Sequence, residues 1–157
     1  MILSLEYIRD YIHKNNLDDL DINKSPIKPL GILNIIKTLS KDKESLLITI
    51  KGPKNSFYEK GVFKISIDLP IDFPITPPKV IFRTKIAHIQ VSEGGHLSVL
   101  FLVHWNWNKS TSLKELLVGL YLFFIFDQNI SSPFGSEYSQ FYGRDELKFK
   151  EFVDKLY

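Results

Sequence analysis

The most constraining stretch of this chain is Val62-Phe63-Lys64-Ile65-Ser66-Ile67-Asp68-Leu69 together with the prolines that follow it, Pro70, Pro74, Pro77 and Pro78. Phe63, Ile65, Ile67 and Leu69 alternate with Val62, Lys64, Ser66 and Asp68, the period of a strand with one face on a core and the other wet. Proline has no N–H to give to a sheet ladder and fixes its own φ, so the segment from Pro70 to Pro78 must leave the sheet. Lys79-Val80-Ile81-Phe82-Arg83 then reads as a short further strand that the double proline precedes without interrupting. Upstream, the β-rich runs 32–39 and 46–50 are separated by the polar stretch 40–45, a hairpin closed by Gly52-Pro53. Four strands in succession predict an antiparallel meander.

Helices flank it. Ile2, Leu5, Ile8 and Ile12 recur at three- and four-residue intervals, which predicts an amphipathic helix from about Leu3 to Lys14. Residues 15–28 hold Asp18, Asp19, Asp21, Asn23, Ser25 and Pro26 and read as a connecting loop. After Arg83 comes a long irregular stretch to Lys109, longer than ordinary connections and therefore functional or core-covering. Thr111 or Ser112 then caps a helix carrying Leu113, Leu116, Leu117, Leu120, Phe123 and Phe124, with Glu115 near its positive end. That helix is apolar nearly all round and must be sandwiched. A last helix is expected from Asp145, with Leu147, Phe149, Phe152, Val153 and Leu156 as its apolar face. The class is α+β.

Composition narrows the function. The chain has 157 residues, 44% of them hydrophobic and 24% charged, which suits one globular domain spanning residues 1–157. Its 20 basic and 18 acidic side chains nearly balance, so no nucleic-acid partner is expected, and Lys41, Lys43, Lys51 and Lys54 read as a solvated face. The apolar run from Leu116 to Phe126 is too short to span a bilayer, and Glu6 and Arg9 interrupt any signal-peptide core, which points to a cytoplasmic or nuclear protein. His13, His88, His96 and His104 show no metal-site spacing, and neither metal nor cofactor is expected. Cysteine is absent, which excludes disulfides, thiolate zinc sites and any thiol nucleophile.

Tyr58-Glu59-Lys60-Gly61-Val62-Phe63, followed by Leu69-Pro70-Ile71-Asp72-Phe73-Pro74-Ile75-Thr76-Pro77-Pro78-Lys79-Val80-Ile81-Phe82, resembles the ubiquitin-conjugating enzyme signature, Tyr-x-Gly-Gly-x-Phe and then Phe-Pro-x-Asp-Tyr-Pro-Phe-x-Pro-Pro-Lys-Val-x-Phe. Gly52-Pro53 is similar to the Gly-Pro that closes the second strand in that family. Asp127-Gln128-Asn129-Ile130-Ser131-Ser132-Pro133-Phe134 is similar to its Asp-Pro-Asn-Pro-Asp-Asp-Pro-Leu, and Glu137, Tyr142, Asp145 and Lys148 continue the likeness. The resemblance implies the ubiquitin-conjugating fold: an N-terminal helix, a four-stranded antiparallel meander, a central helix and two C-terminal helices.

It also implies where the chemistry should be. The family carries ubiquitin as a thioester on the cysteine of a Gly-x-Ile-Cys-Leu-Asp segment. Here that segment is Gly95-His96-Leu97-Ser98-Val99-Leu100, with Ser98 at the cysteine position. His88-Ile89-Gln90 stands where the family has His-Pro-Asn, His88 preceding Ser98 by the same ten residues. Gln90 thus replaces the asparagine that supports the oxyanion or its loop, Leu100 replaces an aspartate, and Ser132 replaces the acidic residue that orients an incoming lysine. A serine hydroxyl stays protonated near neutrality without an adjacent base, and nothing in the sequence identifies one. His88 and Gln90 are equally accounted for as loop-packing residues, and Trp105 and Trp107 as loop anchors.

Several altered positions in one reaction centre fit a lineage that lost catalysis. A laboratory cysteine-to-serine change in an active enzyme, the alternative, would leave the surrounding residues untouched. The resemblance then implies a binding or adaptor protein whose partners are ubiquitin or a ubiquitin-like protein, an active conjugating enzyme, a RING-type ligase or a trafficking adaptor. The ligase-facing surface of active relatives corresponds to the first helix, the Pro74-Ile75 loop and a second loop containing Trp107, with Ile75 as its apolar anchor. The motif match further implies that Ser98 lies on a groove beside Asn129 to Pro133.

Overall fold

A computed structural model describes residues 3–88, 90–97, 106–125 and Glu151, Asp154 and Lys155. Its elements are a helix α1 (Leu5–Lys14), strands β1 (Ile32–Leu39), β2 (Lys43–Lys51), β3 (Val62–Pro70) and β4 (Lys79–Phe82), and a helix α2 (Leu113–Ile125). The strands form a four-stranded antiparallel sheet in the order β1-β2-β3-β4, the expected meander. Glu151, Asp154 and Lys155 are helical, while the start of the last helix and the segment from Asn129 to Pro133 lie outside the described residues.

α1 starts at Leu5, two residues after the position its periodicity suggests. Ser4 is extended (φ −123°, ψ 163°) and its hydroxyl accepts the Tyr7 N–H at 3.1 Å, so Ser4 is the N-cap. Leu3 and Ile8 then stand at the two positions of a hydrophobic staple, and both are buried.

β2 starts at Lys43, three residues before the apolar run. The Ser40 N–H bonds to the Lys43 carbonyl at 3.0 Å, which leaves only Lys41 and Asp42 in the turn. Polar residues continue the ladder here because each finds a partner across it. Lys37 pairs with Glu44 at 3.2 Å, Lys43 with Asp68 at 3.0 Å, and Ser45 donates to Asp68 at 2.8 Å.

On β3, Phe63, Ile65, Ile67 and Leu69 are buried while Val62 and Lys64 face solvent. The inner face of the sheet packs on α2, where Leu116, Leu117, Leu120, Phe123 and Phe124 are all buried, as an all-round apolar helix requires. Rings of Phe63, Phe82, Phe123 and Phe124 lie 5.2–6.5 Å apart, in tilted and edge-to-face pairs. No helix of the described residues is long and apolar enough to cross a membrane.

Candidate functional site

The chain leaves β4 and folds back on it. The Phe82 N–H bonds to the Gly95 carbonyl at 2.7 Å and the Leu97 N–H to the Val80 carbonyl at 3.2 Å, so residues 91–97 run beside the sheet edge. Gly95 has φ +87°, and a Cβ there would collide with the Phe82 carbonyl oxygen. Only glycine allows this close approach, three residues before Ser98. Ser92 tightens the return by accepting the His96 N–H on its hydroxyl at 3.1 Å.

His88 sits under this return, buried, with its ring 4.1 Å from that of Phe123 and stacked 6.0 Å from that of Tyr58. The Tyr58 hydroxyl donates to the Ala87 carbonyl at 2.6 Å, pinning the backbone beside the histidine. His88 Nδ1 accepts the Gln90 N–H at 3.1 Å, which makes Nε2 the protonated nitrogen of the neutral ring. Burial pushes the His88 pKa down to about 3. A ring so placed is neutral near pH 7 and is held between the rings of Phe123 and Tyr58.

Gln90 is half-buried, and its side-chain Oε1 is buried with no hydrogen-bond partner among the described residues. Ser98, Leu100, Trp105 and Ser132 lie outside the described residues, and so does the expected groove beside Asn129. The structure therefore brings together His88 and Gln90 of the four expected catalytic positions. Residues 82–86 and 91–95 together line a cavity of about 520 Å³, Arg83, Thr84, Lys85, Ser92, Glu93 and Gly94 among them. The sequence carried no sign of it, because it depends on how the return sits against β4. Among the described residues no cluster of histidine and carboxylate side chains could hold a metal.

The three residues read as partner-binding do meet. Trp107 Nε1 donates to the Pro74 carbonyl at 2.6 Å, and its buried ring lies 6.2 Å from that of Phe73. Ile75 is held in a turn by its N–H to the Asp72 carbonyl at 2.8 Å and is 57% exposed. Trp107 is thus a strut and Ile75 the displayed residue.

A further link joins this surface to α1, and the residue patterns hinted at only half of it. Ser112 caps α2: its hydroxyl accepts the Glu115 N–H at 3.1 Å while Glu115 accepts the Ser112 N–H at 2.8 Å, a capping box. Arg9 Nε donates to the same carboxylate at 2.6 Å, and Nη2 reaches the Ser110 hydroxyl at 3.0 Å. Burial pushes the Glu115 carboxyl up, but the Arg9 and Ser112 hydrogen bonds outweigh it and hold it below the usual range. The Ser-x-x-Glu spacing announces the box. Nothing in the sequence pairs Glu115 with a side chain on α1.

The ubiquitin-conjugating enzyme family model matches residues 19–157. The chain is 35% identical over 103 residues to a probable ubiquitin-conjugating enzyme E2, L460, of Acanthamoeba polyphaga mimivirus, covering 65% of this chain and 64% of that protein, just under two thirds of its length. It is 34% identical to the Caenorhabditis elegans ubiquitin-conjugating enzyme E2 ubc-18, covering 70% of this chain and 69% of that one. Among solved structures, it superposes on the H. polymorpha ubiquitin-conjugating enzyme Pex4p, crystallised with the soluble domain of Pex22p, at a TM-score of 0.69 and 21% identity. That match covers 91% of this chain and 90% of Pex4p and supports the fold alone. With the meander, the proline-punctuated crossing, the return beneath Gly95 and a family match over most of its length, the chain belongs to the ubiquitin-conjugating enzyme family, as a member that contains no cysteine.

Proposed function

We propose that residues 1–157 form one ubiquitin-conjugating-type domain that works by binding, without catalysing transfer, in the cytoplasm or nucleus. The observation that carries this reading is the absence of any cysteine from a chain that the family model matches over residues 19–157. A thioester needs a thiolate, and no residue of this chain supplies one. His88 supports the same reading: its Nδ1 lone pair already accepts the Gln90 N–H, and burial pulls its pKa down to about 3, so it is too weak a base to take the proton of a serine hydroxyl.

What remains is surface. The partner is ubiquitin or a ubiquitin-like protein, or a protein that handles one: an active conjugating enzyme, a RING-type ligase or a trafficking adaptor. The ligase-facing side is supported by the exposed Ile75 and by the two links that tie its turn and α1 to the 107–112 segment. An apolar anchor on a rigid support is the form such contacts take.

The test combines charging with binding. Incubated with activating enzyme, ubiquitin and ATP, the protein forms no reducing-agent-sensitive adduct, while titration of isotope-labelled ubiquitin with it gives saturable chemical-shift changes. A base-labile, thiol-resistant adduct on Ser98 contradicts the proposal and supports an active enzyme altered at one position. Absence of any shift with ubiquitin removes ubiquitin itself as the partner.

A further inference from the structure

β1 is an edge strand, and its open side is unusual. The bridge between Ile27 and Ile32 covers the edge at Ile32, and from Leu33 to Leu39 no described residue pairs with it on that side. Exposed edges are normally guarded by charges, prolines or short length, because unpaired N–H and C=O groups recruit other strands. This one has no proline and a single charged residue, Lys37, whose ammonium is already paired with Glu44 of its own chain at 3.2 Å. Leu33, Ile36 and Leu39 are instead 48%, 53% and 72% exposed.

Leu33 lies in a bulge, where the β1–β2 register shifts between Ile32 and Asn34, and the regular stretch that a second copy can pair with, Asn34 to Thr38, is centred on Ile36. The Ser40-to-Lys43 bond at the turn and the β1–β2 register place the hydrogen bonds to β2 at Asn34, Ile36 and Thr38. The N–H and C=O groups of Ile35 and Lys37 therefore point to the open side. Two copies of β1 set antiparallel about Ile36 bring Ile35 of each opposite Lys37 of the other, so these residues exchange both their hydrogen bonds. The same register sets Ile36 opposite Ile36 at the centre and Asn34 opposite Thr38 on either side, and leaves the bulged Leu33 outside the pairing. Lys37 of one copy faces an isoleucine and not its twin, so the register avoids a like-charge pair.

We propose that the β1 edge is a self-association surface, at which two copies of this chain join their sheets through antiparallel β1 strands centred on Ile36. The interaction is isologous and closes as a dimer. One strand per copy is far fewer than the roughly 20–30 residues a side of a standard interface, so the dimer is weak and concentration-dependent. It goes beyond the binding role proposed above.

A chain without cysteine allows a clean test. In the proposed register Ile36 is the non-hydrogen-bonded central pair, with Cα atoms about 4.5 Å apart, inside disulfide reach. Asn34 lies opposite Thr38, and its own counterpart is four residues along the strand, about 13 Å away and out of reach. Under mild oxidation Ile36→Cys should cross-link as a dimer, Asn34→Cys and Thr38→Cys should each stay monomeric, and a mixture of those two should cross-link. All three positions are exposed, and circular dichroism of each variant checks that the sheet is intact. Equal cross-linking at every position, or cross-linking at none with sedimentation showing a monomer throughout, overturns the proposal.

Discussion

Replacing His88 by phenylalanine should flatten the dependence of stability on pH between neutrality and pH 5. Phenylalanine retains a ring against Phe123 and Tyr58 but cannot take a proton. In the folded protein burial holds the pKa of His88 at about 3, whereas the unfolded chain titrates near the ordinary 6.5. Between those values the unfolded state binds the extra proton. The contribution of His88 to stability is therefore complete above about pH 6.5 and is lost as pH falls toward 3. By pH 5 the loss relative to neutral pH amounts to about 2 kcal/mol, at about 1.4 kcal/mol per pH unit. Asp68 and Glu115 do not obscure this window. Burial raises both carboxyls, but their hydrogen bonds, from Ser45 and Lys43 and from Arg9 and Ser112, leave both below the usual range, so their contributions are lost only in stronger acid. The variant also strands the Gln90 N–H, which lowers its stability at every pH by about 1–3 kcal/mol without altering the slope. Urea titrations at pH 7 and pH 5, followed by far-UV circular dichroism, measure the slope directly. Equal losses in wild type and variant would mean that His88 titrates alike in both states and is not the buried neutral ring described above.

Phe124→Ala should cost about 3–5 kcal/mol in a denaturant titration, because the ring is 2% exposed and packs among Tyr58, Phe63, Phe82 and Phe123; a change below about 1 kcal/mol would make α2 peripheral. A double-mutant cycle of Arg9→Ala and Glu115→Gln should give a coupling of no more than about 1 kcal/mol that shrinks with salt, since the Arg9 side chain is 44% exposed. Coupling that grows with salt would refute the assignment of this contact as an ion pair.

How far the fold could be read in advance depended on whether a local pattern had a local cause. The alternation along β3 and the all-round apolarity of α2 are fixed by burial, so they translated directly into position. The start of β2 did not: Lys43, Glu44 and Ser45 look like turn residues until Lys37 reaches Glu44 diagonally and Asp68 takes Lys43 and Ser45 from the next strand. The Arg9–Glu115 contact likewise joins residues 106 apart in sequence, and no local pattern encodes it. At the site, the resemblance singled out Gly95 and His88, whereas the neutrality of His88 comes from burial among rings such as Tyr58 and Phe123, which only the folded chain supplies.

On the proposed reading, this family member lost transfer chemistry as a whole centre and not at one atom. The most direct test of that reading is single-turnover discharge onto free lysine of Ser98→Cys protein charged with ubiquitin, beside the same protein carrying Gln90→Asn and Ser132→Asp as well. Losing one oxyanion donor can cost 10²–10³ in rate, on the order of 3–4 kcal/mol, and the resemblance implies that the donor at Gln90, an aspartate at Leu100 and a lysine-orienting acid at Ser132 are altered together. The account predicts little turnover from the single variant and faster discharge from the triple one. Discharge by Ser98→Cys alone at the rate of an ordinary conjugating enzyme would contradict it and leave Ser98 as the one change in a competent enzyme.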